Sequence, residues 1–231
     1  MGKLSLIRAE PALAAGLSAR QRRAAERRLQ VRTVVLPAGS WRPEAEKYPQ
    51  GFGYLLAAGM LLRRIDIENG RSVELLAKGD CLFPWREEAA SFSRAEWQVI
   101  ERATLAPLDL RPGSDLSRLP TVSAMIAARA TDRSRRLALQ SATMSIVGIE
   151  HRLRALLWVL AEQWGRVVSE GVELRLDVPQ DVLAAMVGAR RPTVSMALST
   201  LDERGQVVSV APGCWLLKGE PPTPLDLESD P

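Results

Sequence analysis

The 231-residue chain contains a single histidine, His151, and only two cysteines, Cys81 and Cys214, far apart in sequence. With so few imidazole and thiolate donors, no metal-ligand cluster can be assembled from neighbouring positions. Two isolated cysteines read as reduced thiols in a cytosolic protein. No glycine-rich phosphate loop is present, and carboxylate pairs such as Glu87-Glu88 fall in a loop with nothing to shift their titration. An enzyme is therefore not expected, and neither is a cofactor. The longest apolar runs, such as residues 155–161, are far too short to span a bilayer. Residues 1–10 are polar with no apolar segment behind them, so neither a secretion signal nor membrane attachment is expected, and the reading is cytoplasmic.

What the chain does have is ordinary globular composition, 46% hydrophobic and 25% charged residues, with length for one large or two modest domains. The net charge is +4, and its distribution is uneven. Residues 1–35 net +6, whereas residues 149–219 net zero. Bulk charge thus gives no support to nucleic-acid binding by the C-terminal third, although arginines clustered on one face would suffice.

Residues 10–30 read as a helix, because Pro11 suits a first turn and Leu13, Leu17 and Ala24 lie near one stripe among arginines. The arginines between positions 20 and 28 have two readings, a nucleic-acid or partner patch and the solvated face of an amphipathic helix, of which the second is the simpler. Residues 31–110 read as short strands (31–36, 53–56, 61–67, 72–76, 97–100 and 104–110) separated by turns at Pro37-Ala-Gly39, Ala58-Gly59, Asn69-Gly70 and Lys78-Gly79-Asp80. Such a pattern fits a small barrel or jelly roll. Pro112-Gly113 marks a boundary, and the absence of glycine and proline after Pro120 predicts a long helix over 120–145. Gly148 ends that pattern. A second helix is predicted over 149–164, with Leu153, Leu156, Leu157 and Leu160 at helical spacing. The tail from Glu220 is proline-rich and acidic and reads as disordered.

Residues 178–208 carry the function. A first helix begins near Pro179 with Asp177 as its cap, and Leu183, Met186 and Val187 face inward. Gly188 sits where a tight interhelix turn needs positive φ. A second helix starts at Arg191 or Pro192, and Val194, Ala197, Leu198 and Leu201 form its buried stripe. Arg191, Pro192, Ser195, Met196 and Ser199 are left facing outward. Residues 207–210 and 215–217 flank Ala211-Pro-Gly213 and read as a two-stranded wing. Such a helix fits the major groove and reaches base edges with its N-terminal residues. Arg191 is the candidate for a bidentate contact to guanine, and Arg190 and Thr193 for phosphate contacts. Gln180, opening the first helix, completes the candidate DNA-binding set of Gln180, Arg190, Arg191, Pro192, Thr193, Ser195, Met196 and Ser199.

These residues resemble the Crp/Fnr superfamily of transcription regulators. The resemblance rests on residues 180–188 (QDVLAAMVG), 190–195 (RRPTVS), Ala197-Leu198 and 201–205 (LDERG). It is extended by residues 150–164, which look like the family's helix before the DNA-binding unit, and by residues 53–85, which resemble its β-roll. The resemblance implies an α+β chain in four parts. These are a jelly-roll-like β-roll with an N-terminal helix (1–112), a dimerisation helix (113–148), a winged helix-turn-helix (149–219) and a tail (220–231). The family commonly reads DNA through an arginine, the acidic residue after it, and a second arginine five positions after the first. Here those positions hold Arg191, Pro192 and Met196, so an altered target sequence is implied.

The β-roll departs further from the family pattern. Cyclic-nucleotide-binding members carry Gly-Glu-Leu and then Arg-Ser/Thr-Ala, but Gly79-Asp80 is followed by Cys81-Leu-Phe-Pro84-Trp85-Arg86-Glu87-Glu88, and Ser93-Arg94-Ala95 has the wrong order. Two distant cysteines cannot supply the iron–sulfur cluster of the oxygen-sensing branch. Haem-sensing members use a histidine in the sensor domain, and His151 lies beyond it. Cys81 reads as a core residue. The leading expectation is a homodimeric regulator of a palindromic operator, with double-stranded DNA and RNA polymerase as partners, an unknown small-molecule effector and no cyclic nucleotide. The alternative is an interaction protein whose β-roll binds a partner protein, with Trp41, Trp85 and Trp97 as candidate exposed aromatics. Core packing is the simpler reading of those tryptophans.

Overall fold

The computed structural model describes residues 2–43, 52–68, 70–83 and 92–223. The chain divides into two compact units, Met1–Ser134 and Arg135–Pro231.

In the first unit, β1 (Lys3–Ser5) pairs antiparallel with β2 (Gln30–Arg32). Between them lie α1 (Leu6–Ala9), a 3-10 turn at Pro11–Ala14, and α2 (Ala19–Arg28). The helix expected over residues 10–30 is therefore two separate pieces. The cause is a capping box. The Gln21 amide donates to Ser18 Oγ at 3.3 Å and the Ser18 amide donates to Gln21 Oε1 at 2.8 Å. Those bonds satisfy orphan amides and start a new helix at Ala19.

The β-roll follows, with β3 (Val34–Leu36), β4 (Gly39–Trp41), β5 (Phe52–Ile67), β6 (Gly70–Ala77), β7 (Cys81–Leu82) and β8 (Arg94–Asp109). The sheet runs β3-β8-β5-β6, with β4 also on β8 and β7 on β5. The strands expected over 53–56 and 61–67 are one 16-residue strand, and those over 97–100 and 104–110 are likewise joined in β8. The Ala58-Gly59 signal marks bulges, not a turn. The β5–β8 register shifts between Leu56 and Ala58 and again by Leu61, and Gly59 has φ +84°. A Cβ at Gly59 would lie 2.3 Å from the Arg102 carbonyl oxygen, so the close approach of β8 requires glycine. The β5–β6 hairpin closes to the pair Ile67 and Gly70. Asn69, and the expected loop residues from Pro84 to Glu88 including Trp85, lie outside the described residues.

Two apolar clusters hold this unit. One joins Leu6, Ile7, Leu13, Ala25 and Leu29 to Leu55, Cys81, Leu108 and to Val122 and Ile126 at the start of the long helix. The other fills the roll with Tyr54, Leu56, Leu61, Leu76, Leu82, Trp97, Val99 and Leu105. Trp97 is buried and stacks edge-on with Trp41 at 5.5 Å, so these two tryptophans serve packing.

The long helix α3 (Pro120–Thr143) ends two residues earlier than expected and runs from the first unit into the second. The second unit continues with α4 (Ile149–Trp164), β9 (Gly165–Val168), β10 (Gly171–Arg175), α5 (Gln180–Met186), α6 (Arg191–Glu203), β11 (Val207–Ala211) and β12 (Cys214–Leu217). The wing is larger than expected. β9 and β10 extend it into a four-stranded sheet of order β11-β12-β10-β9. Leu153, Leu156, Leu157 and Leu160 of α4 are buried along with Leu183 and Met186 of α5 and Val194, Ala197 and Leu201 of α6. Each such leucine contributes about 1.5–3 kcal/mol by leaving water.

Asp177 does not cap α5. Pro179 holds that place with no side-chain cap, because residues 176–178 are drawn along the wing, where the Leu176 amide donates to the Gly213 carbonyl at 2.7 Å. Of the tail expected to be disordered, residues 224–231 lie outside the described residues. The Glu220 carbonyl accepts a hydrogen bond from Arg154 at 2.8 Å. No helix among the described residues is long and apolar enough to cross a membrane.

Candidate nucleic-acid interface

The interface is built around the turn from α5 to α6. The Ala189 amide donates to the Ala184 carbonyl at 2.9 Å and the Gly188 amide to the Ala185 carbonyl, the hydrogen-bond pair of a Schellman cap. That cap needs a left-handed residue, and Gly188 supplies it with φ +63°. The turn is pinned from two sides. Arg152 Nη1 of α4 donates to the Val187 carbonyl at 2.8 Å, and its other guanidinium nitrogens donate to the Ile146 carbonyl. The Met144 methyl lies so close to Gly188 that a Cβ there would meet it at 2.5 Å. These two residues were not legible in the sequence. An arginine inside an amphipathic helix carries no mark that it will bridge two backbone segments.

The next helix, α6, is 13 residues long, about 20 Å at helical rise. Val194, Ala197 and Leu201 are buried and Leu198, expected in the same stripe, is only half-buried. The opposite face is open. Arg190 is the extended N-cap residue and Arg191, Pro192 and Thr193 form the first turn, all exposed. Ser195, Met196 and Ser199 are also exposed, Met196 by 71%. Seven of the eight expected contact residues thus share the exposed side of one helix and its cap, six of them in the N-terminal half or the cap. Gln180 is the exception, half-buried at the start of α5. No side chain caps α6, so its first amides point outward with the positive end of the helix dipole. Among the described residues neither Arg190 nor Arg191 has a carboxylate partner. By contrast, Arg175 is paired with Glu173 at 2.6 Å, and that bond raises the Arg175 pKa. The serine hydroxyl of Ser199 donates back to the Ser195 carbonyl at 3.2 Å, leaving its lone pairs outward. At the far end, the Ser209 amide donates to Asp202 Oδ1, fixing the helix to the wing. The arrangement is a helix presenting two guanidiniums without carboxylate partners, hydroxyls and unpaired amides on one open side.

Residues 151–215 match the Crp-like helix-turn-helix domain. The chain carries a Crp-like helix-turn-helix domain. No curated protein matches it by sequence. Solved structures resemble it over most of its length. A CooA mutant from Carboxydothermus hydrogenoformans aligns with TM-score 0.62 and 21% identity, covering 82% of this chain and 84% of that one. A cyclic nucleotide-binding domain containing protein from Listeria monocytogenes EGD-e aligns with TM-score 0.65 and 17% identity, covering 81% and 89%. FixK2 from Bradyrhizobium japonicum gives TM-score 0.58 and 15% identity, covering 82% and 93%. The fold is that of the CRP/FNR regulators, an N-terminal β-sheet domain followed by helices and a C-terminal Crp-type helix-turn-helix.

In the first unit, the β-roll and α3 hold a buried charge cluster. Glu74 of β6 is buried, and its carboxylate takes two hydrogen bonds from Arg133 of α3, at 2.6 and 2.8 Å. Arg63 of β5 lies 3.0 Å from the same carboxylate and 5.8 Å from the Trp97 ring centre. Arg129, one turn earlier on α3, pairs with Glu10 at 2.7 Å. Arg129 and Arg133 of α3 therefore point into the first unit, whereas Arg135 pairs with Glu162 and Arg136 lies over the Trp164 ring, a split that their sequence context did not reveal. Cys81 sits in this region, fully buried, and burial pushes its thiol up to about 12, so it stays protonated. His151 is half-buried at the start of α4, in the second unit. Among the described residues no group of three or more His, Cys, Asp or Glu side chains could hold a metal ion.

Proposed function

We propose that the protein is a sequence-specific transcription regulator, acting in the cytoplasm, that binds a palindromic operator as a homodimer. The observation that carries this reading is the open N-terminal half of α6, with Arg190 and Arg191 free of carboxylates at an uncapped helix start. Arg191 reads a base edge, while Arg190, Thr193 and the first amides hold phosphates. Pro192 and Met196 occupy the places of the family's acidic residue and second arginine, so the operator differs from those of members that keep them. Gln180 contributes from α5.

The division of labour proposed is a sensor-like β-roll over residues 1–112, a dimerisation helix over 113–148, the DNA-binding unit over 149–219 and a tail over 220–231. Dimerisation through α3 is supported by its exposed face, where Ala124, Ala128, Thr131, Ala138 and Ala142 recur at coiled-coil spacing. Arg133 and Arg136 are turned away from that face and buried. Two recognition helices related by a two-fold axis would then read half-sites about 34 Å apart. The β-roll is proposed to take no cyclic nucleotide. Among the described residues its buried cations Arg63, Arg129 and Arg133 are already neutralised by Glu74 and Glu10.

Selection of bound duplexes from a random pool tests the reading, and a palindromic motif is the expected result. Arg191→Ala should then weaken binding to the selected site by about 1–3 kcal/mol and relax preference at one position of each half-site. Wild-type affinity in that variant, measured by gel shift, overturns the assignment of Arg191.

A further inference from the structure

The α2 helix makes little sense as a structural element alone. Residues 19–32 hold six arginines and one glutamate. Of the ten residues of α2 only Ala25 is buried. Glu26 is used up by Arg22 at 3.5 Å and Arg8 at 3.7 Å, and Arg28 pairs with Asp115. Arg20, Arg23 and Arg27 remain, all exposed and without a carboxylate partner among the described residues. Their spacing of three and then four residues puts them on one stripe. Like charges at that spacing destabilise a helix by a few tenths of a kcal/mol per pair. Arg20 also stands in the first turn, which has no acidic residue and where the helix dipole disfavours a cation. Directly after α2, exposed Arg32 lies opposite exposed Lys3 in the β1–β2 ladder, another like-charge pair. Among the described residues no carboxylate pairs with any of these five cations.

We propose that the Arg20–Arg23–Arg27 stripe is a second polyanion-binding surface whose partner is the phosphate backbone of duplex DNA. This rests on DNA being the protein's partner and adds a sequence-independent contact outside the helix-turn-helix. The stripe suits DNA better than an acidic protein. A protein interface needs an apolar or aromatic anchor at its centre, and the exposed face of α2 offers only Ala24 between the arginines. Protein–DNA interfaces are polar and strongly positive, as this one is. From Arg20 to Arg27 the helix rises about 10.5 Å, roughly the axial run of three phosphate-to-phosphate steps along one strand.

The test is a salt titration of full-length protein on a long random-sequence duplex. It compares wild type with the variant carrying Arg20→Ala, Arg23→Ala and Arg27→Ala, whose unchanged circular dichroism shows that it folds. Alanine favours helix, so α2 is retained. Each phosphate contact adds about 0.9 to the slope of log affinity against log salt, so the variant's slope should be shallower by about 2–3. Between 50 and 200 mM salt, wild type should then lose about 40-fold more affinity than the variant. Equal slopes overturn the proposal, as does a loss of binding to polyglutamate without any change on DNA. Arg191→Ala, run alongside on the selected operator, separates the two readings. It changes sequence preference, whereas the α2 variant leaves preference unaltered and shifts only the salt dependence.

Discussion

Replacing Glu74 by glutamine keeps the shape of a buried side chain and removes its charge. Two guanidiniums, those of Arg133 and Arg63, then face a neutral amide inside the β-roll. The Arg133 and Glu74 side chains are only 10% and 6% exposed, so water cannot make up the loss. Breaking such a buried pair costs about 3–5 kcal/mol, chiefly because the partner is left as an uncompensated buried charge. Arg63 is cushioned by the Trp97 ring, which places the expectation nearer the lower end of that range. With a urea dependence of about 2–3 kcal/mol per molar, the midpoint of unfolding should fall by about 1–2 M. Equilibrium unfolding followed by tryptophan fluorescence reads this directly, since Trp41 and Trp97 both lie in the affected unit. A double-mutant cycle with Arg133→Gln should show strong coupling, because either single change already breaks the bidentate contact. A loss below about 1 kcal/mol that adds with Arg133→Gln would refute the reasoning, since it would mean the carboxylate is solvated rather than clasped.

Gly188→Ala should cost about 1–2 kcal/mol, because a left-handed φ of +63° is strained for alanine, and thermal unfolding of the full chain measures it. Adding Met144→Ala should recover only the part due to the 2.5 Å contact, leaving the backbone cost. The Cys81 thiol, pushed up to about 12 by burial and the neighbouring Asp80, should resist alkylation in the native protein, assayed with Cys214→Ser to isolate it. Its raised pKa means that the unfolded thiol ionises first, so this contribution to stability is intact below about pH 8.5 and is lost as pH climbs towards 12. Labelling at pH 8 as fast as in the unfolded chain contradicts that picture.

The C-terminal unit was the more legible part, and the reason is periodicity. The stripe of Val194, Ala197 and Leu201 and the leucines of α4 repeat at helical spacing, and Gly188 punctuates them at the one place where a left-handed residue closes a cap. The β-roll was harder. Ala58-Gly59 reads as a turn in one dimension, and only the approach of β8 shows that the strand continues through it with bulges. Residues 10–30 show the converse. A capping box at Ser18 and Gln21 was written in the sequence and outweighed the continuous polar-apolar pattern. For the candidate site, the exposed set on α6 followed from the buried stripe by subtraction. The Arg152 and Met144 supports could not, because they depend on where the end of α3 meets the turn.

Charge needs tertiary structure to be interpreted at all. Counted along the chain, residues 149–219 are neutral and would repel DNA as much as attract it. Yet the acids are not spread evenly over the arginines. Glu173 holds Arg175 and Glu162 holds Arg135, while in the first unit Glu74, Glu10, Glu26 and Asp115 hold Arg133, Arg129, Arg22 and Arg28. Pairing cancels each of those cations beyond a few ångströms, whereas an unpaired guanidinium acts over a Debye length of about 8–10 Å. Among the described arginines without a carboxylate partner, two tight groups stand out, Arg190 with Arg191 at the start of α6 and Arg20, Arg23 and Arg27 along α2. Within each group the separation is about one Debye length or less, so the members attract a phosphate strand together rather than singly. A neutral domain can in this way bind a polyanion with steep salt dependence, because unpaired arginines are gathered at one helix start while carboxylates such as Glu162 and Glu173 are spent on other arginines.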